Sequence, residues 1–298
     1  MCNFLTLDFE TWADSSRFLL DSREAERMSC HLGGFDPQLE RGVRAFLDAL
    51  WRYRKQATFF VQASTIAAHK DLVVEVHNSG HEIASHSLSH PLFDNLPRLR
   101  MREELRCSRQ RLEDLIGAPV IGFRAPNLSL GRLRQIFFEE LLESGYRYDS
   151  SMTERSVRAL FRKEDCGPFE IPGASPLIEY PITTATIWGK SLNLGGTQLA
   201  FISSDRIRSI ARIANSRKVP LVLYLHPYEL DAARLRWPHA TPSLRAKIAT
   251  GVRGLLKRGR LELVDQIISD LALTTIAQDL LQNGEQRYTS RPGLPIPG

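Results

Sequence analysis

Two histidines, His86 and His90, are the residues of this sequence with the clearest chemical potential. They lie four positions apart, directly after the short segment Glu82–Ser85. Two imidazoles at this spacing can bind a single metal ion. A structural interpretation is also open, with one histidine in the core and the other in solvent. The pair therefore has to be judged together with the elements that position it.

Three apolar segments of the sequence each end in residues that could serve a metal site. Phe4–Phe9 carries Asp8 and is followed by Glu10, Glu82–Ser85 leads into His86, and Leu221–Leu225 is followed by His226. In a barrel of parallel strands, the carboxyl ends of the strands meet at one rim. The pattern thus predicts a hydrolytic metal site at that rim.

The order of the predicted elements alternates strand and helix, which indicates a parallel α/β barrel. A chain of 298 residues has the length of one such domain. We expect one domain over residues 1–274, with Leu261–Val264 as its closing strand. Periodicity weakens beyond Leu273, so residues 275–298 are predicted to be a flexible tail.

The composition is that of a globular protein, with 43% hydrophobic and 24% charged residues. The formal charge is +5 and the isoelectric point is near 9.1, but the arginines are spread over several predicted helices, so no nucleic-acid partner is expected.

No apolar run approaches a bilayer span and the first strand starts near Met1 without a leader, so we expect a cytoplasmic protein without a transmembrane segment. The cysteines are scattered, which favours reduced thiols. The oligomeric state stays open.

Six blocks of this sequence, in order, resemble the polysaccharide deacetylase family, which is defined by the NodB homology domain and includes carbohydrate esterase family 4. The resemblance covers nearly the whole chain and is greatest to the branch found with exopolysaccharide gene clusters. The blocks are Asp8-Phe9-Glu10-Thr11-Trp12, Ala57-Thr58-Phe59-Phe60-Val61, Gly80-His81-Glu82-Ile83-Ala84-Ser85-His86, Gly122-Phe123-Arg124-Ala125-Pro126, Gly145-Tyr146-Arg147-Tyr148-Asp149-Ser150-Ser151 and Tyr224-Leu225-His226-Pro227-Tyr228-Glu229-Leu230.

The resemblance implies a distorted barrel of seven or eight strands and a metal-dependent hydrolase that removes an acyl group from an aminosugar. By this resemblance, Glu10, His86 and His90 are the expected metal ligands. Two imidazoles and one carboxylate suit a divalent ion and leave a position for water. Zinc is the expected ion, and cobalt, nickel or iron could replace it.

The remaining roles also follow from the resemblance. Asp8 is expected to be the general base and His226 the general acid, and Arg124 is expected to pair with Asp8. The backbone N–H of Asn127 is expected to bind the oxyanion. Asp149 is expected either to orient His226 or to support the neighbouring loop.

Aromatic residues near the motifs could contact a sugar ring. Trp12 and Tyr228 are the candidates, with a role in the core as the alternative, and Tyr228 is the favoured one because it lies directly beyond His226-Pro227. The segment Leu192–Thr197 is expected to be either a substrate-side loop or an ordinary turn.

One position departs from the closest branch, where an acid stands in place of Thr11. The metal could then be held by Glu10, by the two histidines with additional waters, or not at all. An inactive protein that binds a sugar or a partner is therefore one alternative. Another is an amidohydrolase that acts on a non-sugar amide, imide or ureide. The expected substrate is an acylated aminosugar or glycoside that is nucleotide-linked, lipid-linked or small.

Overall fold

The computed structural model describes residues 2–16, 35–130, 134–163, 166–235 and 243–287. Strands alternate with helices along most of this chain, as the sequence predicts. The strands are β1 (Phe4–Phe9), β2 (Thr58–Val61), β3 (Glu82–Ser85), β4 (Gly122–Phe123), β5 (Tyr148–Asp149), β6 (Phe169–Glu170), β7 (Ile178–Glu179), β8 (Thr184–Ile187), β9 (Lys190–Asn193) and β10 (Val222–Leu225).

The helices vary from one turn to five. They are α1 (Trp12–Ser15), α2 (Pro37–Arg52), α3 (Ile66–Asn78), α4 (Arg98–Ile116), α5 (Arg134–Glu143), α6 (Glu154–Phe161), α7 (Ser204–Ser216), α8 (Pro227–Leu230), α9 (Leu244–Leu256), α10 (Arg260–Asp270) and α11 (Ile276–Arg287). The start of α2 follows the sequence signal, because Asp36 is its N-cap and Pro37 its first residue.

The main sheet has eight strands in the order β10-β1-β2-β3-β4-β5-β7-β6. All neighbours are parallel except β6 and β7, and β8 pairs with β9 as a separate hairpin. The sheet curls, and the segment that follows β7 forms hydrogen bonds with β10. Beyond β7, the N–H of Thr183 donates to Val222 O at 3.0 Å, and Tyr224 N–H donates to Leu194 O at 3.2 Å. The fold is therefore the distorted α/β barrel that the sequence predicts.

Strand β1 shows how alternation along a strand separates the core from the site. Leu5, Leu7 and Phe9 belong to the large apolar cluster between the sheet and the helices. Phe4, on the opposite face, belongs to a second cluster inside the barrel. Because side chains alternate along a strand, Thr6, Asp8 and Glu10 share the inner face with Phe4.

Two expectations for the C-terminal region are wrong. Leu261–Val264 is not a closing strand, because these residues lie within α10. Val264, Ile267 and Ile268 are all buried, and their spacing of three and four positions places them on one face of a helix. Burial does not alternate along Leu261–Val264, since Leu261 and Glu262 are both exposed.

The flexible tail does not begin at residue 275, because α11 covers Ile276–Arg287. Ile276 and Leu280 join the apolar cluster inside the barrel. The helix is fixed by polar contacts as well, since Ala277 N–H donates to Glu82 Oε2 and Tyr180 Oη donates to Asp279. Residues 288–298 lie outside the described part of the chain.

The structure also shows the state of the cysteines and whether any described helix could span a membrane. Cys2 and Cys107 are free thiols, the Cys166 thiol is buried and donates to the carbonyls of Glu154 and Lys163, and Cys30 lies outside the described residues. In the described parts of the chain, no helix combines the length and the apolar character that crossing a bilayer requires.

Candidate active site and metal centre

Glu10, His86 and His90 form a buried cluster at the carboxyl ends of β1 and β3. One ligand atom from each residue lies within 4.8 Å of the others, and all three side chains are buried. Glu10 Oε2 lies 3.2 Å from His86 Nε2 and is also in contact with His90 Nε2. Two imidazole nitrogens and one carboxylate oxygen are ligands that zinc and similar divalent ions prefer. The residues present therefore fit a metal ion.

The ring of His86 is oriented for metal binding by its second nitrogen. Nδ1 lies 2.9 Å from the backbone carbonyl of Arg124, which fixes Nδ1 as the N–H donor. The other nitrogen, Nε2, then carries a lone pair directed at Glu10. Such a carbonyl contact behind a histidine sets both its tautomer and its rotation.

His90 reaches the cluster through a turn rather than through regular helix. Ser87 and His90 both have positive φ, at 66° and 60°, and His90 N–H donates to Ser87 Oγ at 3.1 Å. The turn is anchored by Glu104 of α4, whose carboxylate accepts Leu88 N–H, Ser89 N–H and the Ser89 hydroxyl. This buried acid thus holds a strained turn that brings His90 beside His86.

The histidines in turn control the charge of Glu10. Burial alone would raise the pKa of this carboxyl, but the imidazoles of His90, His86 and His226 outweigh it and hold the pKa well below its usual range. Glu10 is consequently ionised, as a metal ligand must be.

Asp8 forms the expected ion pair with Arg124. Arg124 Nη1 donates to Asp8 Oδ1 at 2.7 Å and to Thr6 Oγ1 at 2.7 Å. Its remaining donors reach Ser150, with Nε 3.0 Å from the carbonyl and Nη2 2.9 Å from the hydroxyl. Arg124 is completely buried, and its guanidinium lies 4.0 Å from the ring centre of Phe60. The contacts fix the direction in which Asp8 points.

His226 lies on the other side of Glu10, at the end of β10 and the N-cap of α8. Its Nε2 is 3.4 Å from Glu10 Oε1, and its Nδ1 is 3.4 Å from Glu229 Oε2. Burial would lower the pKa of His226, but Glu229 first, and Glu10 and Asp8 after it, raise the pKa to about 9. His226 is therefore held as an imidazolium at neutral pH, as a proton donor requires.

Asp149 does not orient His226; Glu229 contacts His226 instead. Asp149 accepts the Ser151 hydroxyl at 2.6 Å, and Ser151 Oγ accepts Ala125 N–H at 2.8 Å. Asp149 also lies beside Glu179 in β7, and burial raises the pKa of both carboxyls. Of the two alternatives, Asp149 supports the loop that follows Arg124.

A cavity of about 330 Å³ opens onto this cluster. Tyr228 lines it and stacks on His226, with ring centres 5.1 Å apart. Trp12 does not: it is 1% exposed and packs edge-on behind Tyr228 at 5.0 Å. The expectation that Trp12 contacts substrate is therefore wrong, because α1 turns the indole into the small apolar cluster with Tyr228 and Leu235.

Asn127 lies where the resemblance implies, in the wall of the cavity. It is the central residue of a 3-10 turn at Pro126–Leu128 and has a left-handed backbone, with φ 52°. The turn is closed by the N–H groups of Leu128 and Ser129, which donate to Ala125 and Pro126. The N–H of Asn127 takes no part in that closure.

Thr11 plays a structural part. Its hydroxyl accepts Asp14 N–H and donates to Asp14 Oδ2 at 2.8 Å, so it caps α1. The cluster of Glu10, His86 and His90 does not include position 11. The opposite wall of the cavity is formed by Asn193, Gly196, Thr197 and Gln198, which supports the interpretation of this segment as a substrate-side loop.

Three residues of this site were not predicted from the sequence. Glu229 had a usable signal, because Pro227 and Glu229 follow His226 in the pattern of a helix N-terminus. Glu104 and Arg253 lie on predicted helices among many other charged residues and carry no comparable signal. Only the folded barrel brings Glu104 to the His90 turn and Arg253 to the cavity.

Two family models match this sequence, and solved structures share its fold. Residues 32–148 match the model for polysaccharide deacetylase, and residues 153–278 match a model described as Domain of unknown function (DUF3473). Residues 32–148 of the protein are therefore similar to the polysaccharide deacetylase family. Asp8 and Glu10 precede the first matched region, and His226 lies in the second.

Among curated relatives, the chain is 28% identical to peptidoglycan-N-acetylglucosamine deacetylase from Bacillus cereus over 101 residues, which is 34% of this chain and 46% of the relative. The matched stretches span less than half the length of the curated relatives. An inferred polysaccharide deacetylase from Mycobacterium smegmatis has the same fold, with a TM-score of 0.62 at 19% identity over 100% of this chain and 96% of that one. Puue allantoinase is also similar, with a TM-score of 0.58 at 15% identity over 95% and 91% of the two chains.

Proposed function

We propose that this protein is a metal-dependent deacetylase that removes the N-acetyl group from an aminosugar of a glycan. The observation that carries the proposal is the buried Glu10–His86–His90 cluster, open to a cavity and flanked by the Asp8–Arg124 pair and by His226. Because the cluster, the Asp8–Arg124 pair and His226 are all present, an inactive sugar-binding protein is the less favoured alternative.

A divalent ion on the three ligands would supply an acidified water as the nucleophile. Asp8 would accept the proton of that water, because Arg124 fixes its carboxylate at the edge of the cluster. His226 would donate a proton to the leaving amine nitrogen, since Glu229 maintains its charge. The backbone N–H of Asn127 would bind the oxygen on which negative charge develops.

The substrate, the metal and the location are further parts of the proposal. Polar side chains dominate the cavity wall, which suits a sugar with several hydroxyl groups. The ligand set supports zinc. Free thiols at Cys2 and Cys107 support a cytoplasmic location, where lipid-linked or nucleotide-linked glycans are available substrates.

The test combines metal analysis with acetate release from N-acetylglucosamine oligosaccharides. We expect His86→Ala and His90→Ala to lose the bound metal, while His77→Ala, which removes a histidine outside the site, retains it. Asp8→Asn should retain the metal and reduce turnover by at least about a hundredfold, the scale expected for a general base. The proposal is wrong if both ligand variants keep the wild-type metal content or if the metal-loaded protein releases no acetate.

A further inference from the structure

Helix α9 presents an apolar face to the outside of the molecule. The exposed fractions of its large apolar side chains are 74% for Leu244, 59% for Ile248, 49% for Val252 and 57% for Leu255. Their spacing of four, four and three positions places these side chains in one stripe along the helix. Among the residues of α9 whose side chains the structure describes, none is buried. Burial of apolar side chains therefore does not anchor α9 to the barrel.

Polar contacts attach the helix to the barrel instead. Arg253 Nη1 donates to Ser16 Oγ at 3.0 Å. Lys257, one position beyond the end of α9, donates to three backbone carbonyls of the segment 228–233. Arg253 and Lys257 are four positions apart, on the side of the helix away from the apolar stripe. A surface helix normally buries its apolar side and exposes its polar side, so α9 has the reverse orientation.

The sequence around α9 is basic. Between Asp231 and Glu262 the chain contains eight lysine and arginine residues and no aspartate or glutamate. Lys247 and Arg258 are exposed, and each lies three positions after a leucine of the stripe, so both border it. An apolar stripe bordered by cations matches the acyl chains and the headgroups of an anionic bilayer. A nucleic acid would match the cations but not the stripe.

We propose that α9 docks onto the surface of a lipid bilayer that contains anionic lipids. The apolar stripe enters the boundary between headgroups and acyl chains, and Lys247 and Arg258 bind lipid phosphates. Docking does not depend on the reaction that the site catalyses.

The position of α9 connects docking with the active site. Arg253 of this helix lines the active-site cavity, and α9 lies beside the segment Gly196–Phe201, whose first residues form the opposite wall. Docking therefore holds the cavity near the bilayer surface. This consequence for the substrate rests on the proposed deacetylase function: the glycan that reaches the cavity is linked to a lipid of the same bilayer.

The test measures co-sedimentation of the metal-loaded full chain with two kinds of vesicle, phosphatidylcholine alone and an equimolar mixture of phosphatidylcholine and phosphatidylglycerol. We expect the affinity for the mixed vesicles to be at least about tenfold higher and to fall as salt is added. The double variant Ile248→Ser, Val252→Ser should bind the mixed vesicles at least about tenfold more weakly. The double variant Lys247→Glu, Arg258→Glu should lose the preference for anionic vesicles.

Three further variants separate docking from general effects of surface substitution. Leu99→Ser removes a leucine of α4 that is 77% exposed, and Arg212→Glu removes an exposed charge of α7. Neither should change vesicle binding. Val252→Trp should strengthen binding, because an indole favours the bilayer interface, and a folding defect cannot produce this gain.

Acetate release from soluble N-acetylglucosamine oligosaccharides should be the same in all these variants. Absence of binding to the mixed vesicles, or equal losses in Leu99→Ser and in the Ile248→Ser, Val252→Ser variant, would overturn the proposal. A dimer in solution that the same double variant abolishes would assign the stripe to a second copy of the chain and also overturn it. Vesicle binding without acetate release would support docking and reject the deacetylase function.

Discussion

At the scale of single residues, the site depends on pairs in which one side chain sets the state of another. His86 is oriented by a carbonyl, Asp8 by Arg124, and His226 by Glu229. In each pair the second residue touches no reacting atom in the proposed mechanism. The supporting residue of each pair can therefore be substituted while the reacting residue stays unchanged.

Glu229 is predicted to maintain His226 in its acidic form. Burial lowers the pKa of His226, and the Glu229 carboxylate raises it. The Glu229→Gln variant lacks this carboxylate, so the pKa of His226 should fall. The protonated form is then lost at lower pH, and the alkaline limb of the kcat profile should move to lower pH while the metal content is unchanged. The rate at pH 8 should fall about tenfold, on the scale of partial loss of a general acid. Glu103→Gln on the exposed face of α4 serves as the control, and an unchanged alkaline limb would contradict the prediction.

His81 is predicted to make stability depend on pH. Burial lowers its pKa from 6.5 to about 4, and its neutral Nδ1 accepts Ala57 N–H at 3.4 Å. At pH values between 6.5 and about 4, His81 is protonated in the unfolded chain but neutral in the folded protein. The free energy of unfolding therefore falls as pH decreases through this range. His81 should therefore lower the free energy of unfolding by about 2 kcal/mol between pH 7 and pH 5.

Urea unfolding of His81→Asn at pH 7 and pH 5 checks this prediction. The variant should lose about 2 kcal/mol less stability than the wild type over this interval, because asparagine does not titrate. His77→Gln should behave like the wild type. Equal losses in the His81→Asn variant and the wild type would show that His81 does not cause the dependence.

At the scale of elements, the site is assembled from the ends of strands and from the turns that follow them. β1 supplies Asp8 and Glu10 through simple alternation, whereas His90 depends on a left-handed turn anchored from α4. The opposite end of the barrel is closed by α11, which contributes Ile276 and Leu280 to the interior. The helix thus replaces water at the base of the barrel with apolar side chains.

Two adjacent leucines of α11 provide a matched test of this closure. Leu280 is 5% exposed inside the barrel, and Leu281 is 66% exposed. Leu280→Ala should reduce the free energy of unfolding by about 2–4 kcal/mol, because it removes a buried side chain and leaves a cavity. Leu281→Ala should change it by less than about 0.5 kcal/mol. Similar effects of the two substitutions in chemical denaturation would show that α11 is not docked.

At the scale of the whole molecule, the two regions that match separate family models form one barrel. Residues 153–278 contribute β7 and β10 to the main sheet, and β10 pairs directly with β1. His226 then meets Glu10 across that boundary. The region described as a domain of unknown function completes the sheet and the site.

A fragment of residues 1–148 is therefore predicted not to fold on its own. It lacks β10, so β1 would expose an unpaired edge and the interior cluster would lose Ile178, Tyr180 and Val222. Thermal unfolding of the fragment should show no cooperative transition, and co-expression with residues 149–298 should restore one. A cooperative transition in the isolated fragment would show two independent domains. The full chain is the matched control.

The sequence by itself predicted the fold class, the resemblance to a deacetylase family and the residues of the candidate metal cluster. These follow from local patterns: alternation along β1, the spacing of His86 and His90, and the capping of α2 by Asp36. The helix α6 has a local signal of the same kind, because Thr153 and Ser156 form a capping box at its start.

Tertiary structure decided which residues meet. It paired His226 with Glu229 rather than Asp149, buried Trp12 behind Tyr228, made a helix of Leu261–Val264 and brought Arg253 to the cavity. Local patterns determine on which face of its own element a side chain lies. They do not determine which distant elements lie opposite, because the closure of the curled sheet sets those distances across the whole chain.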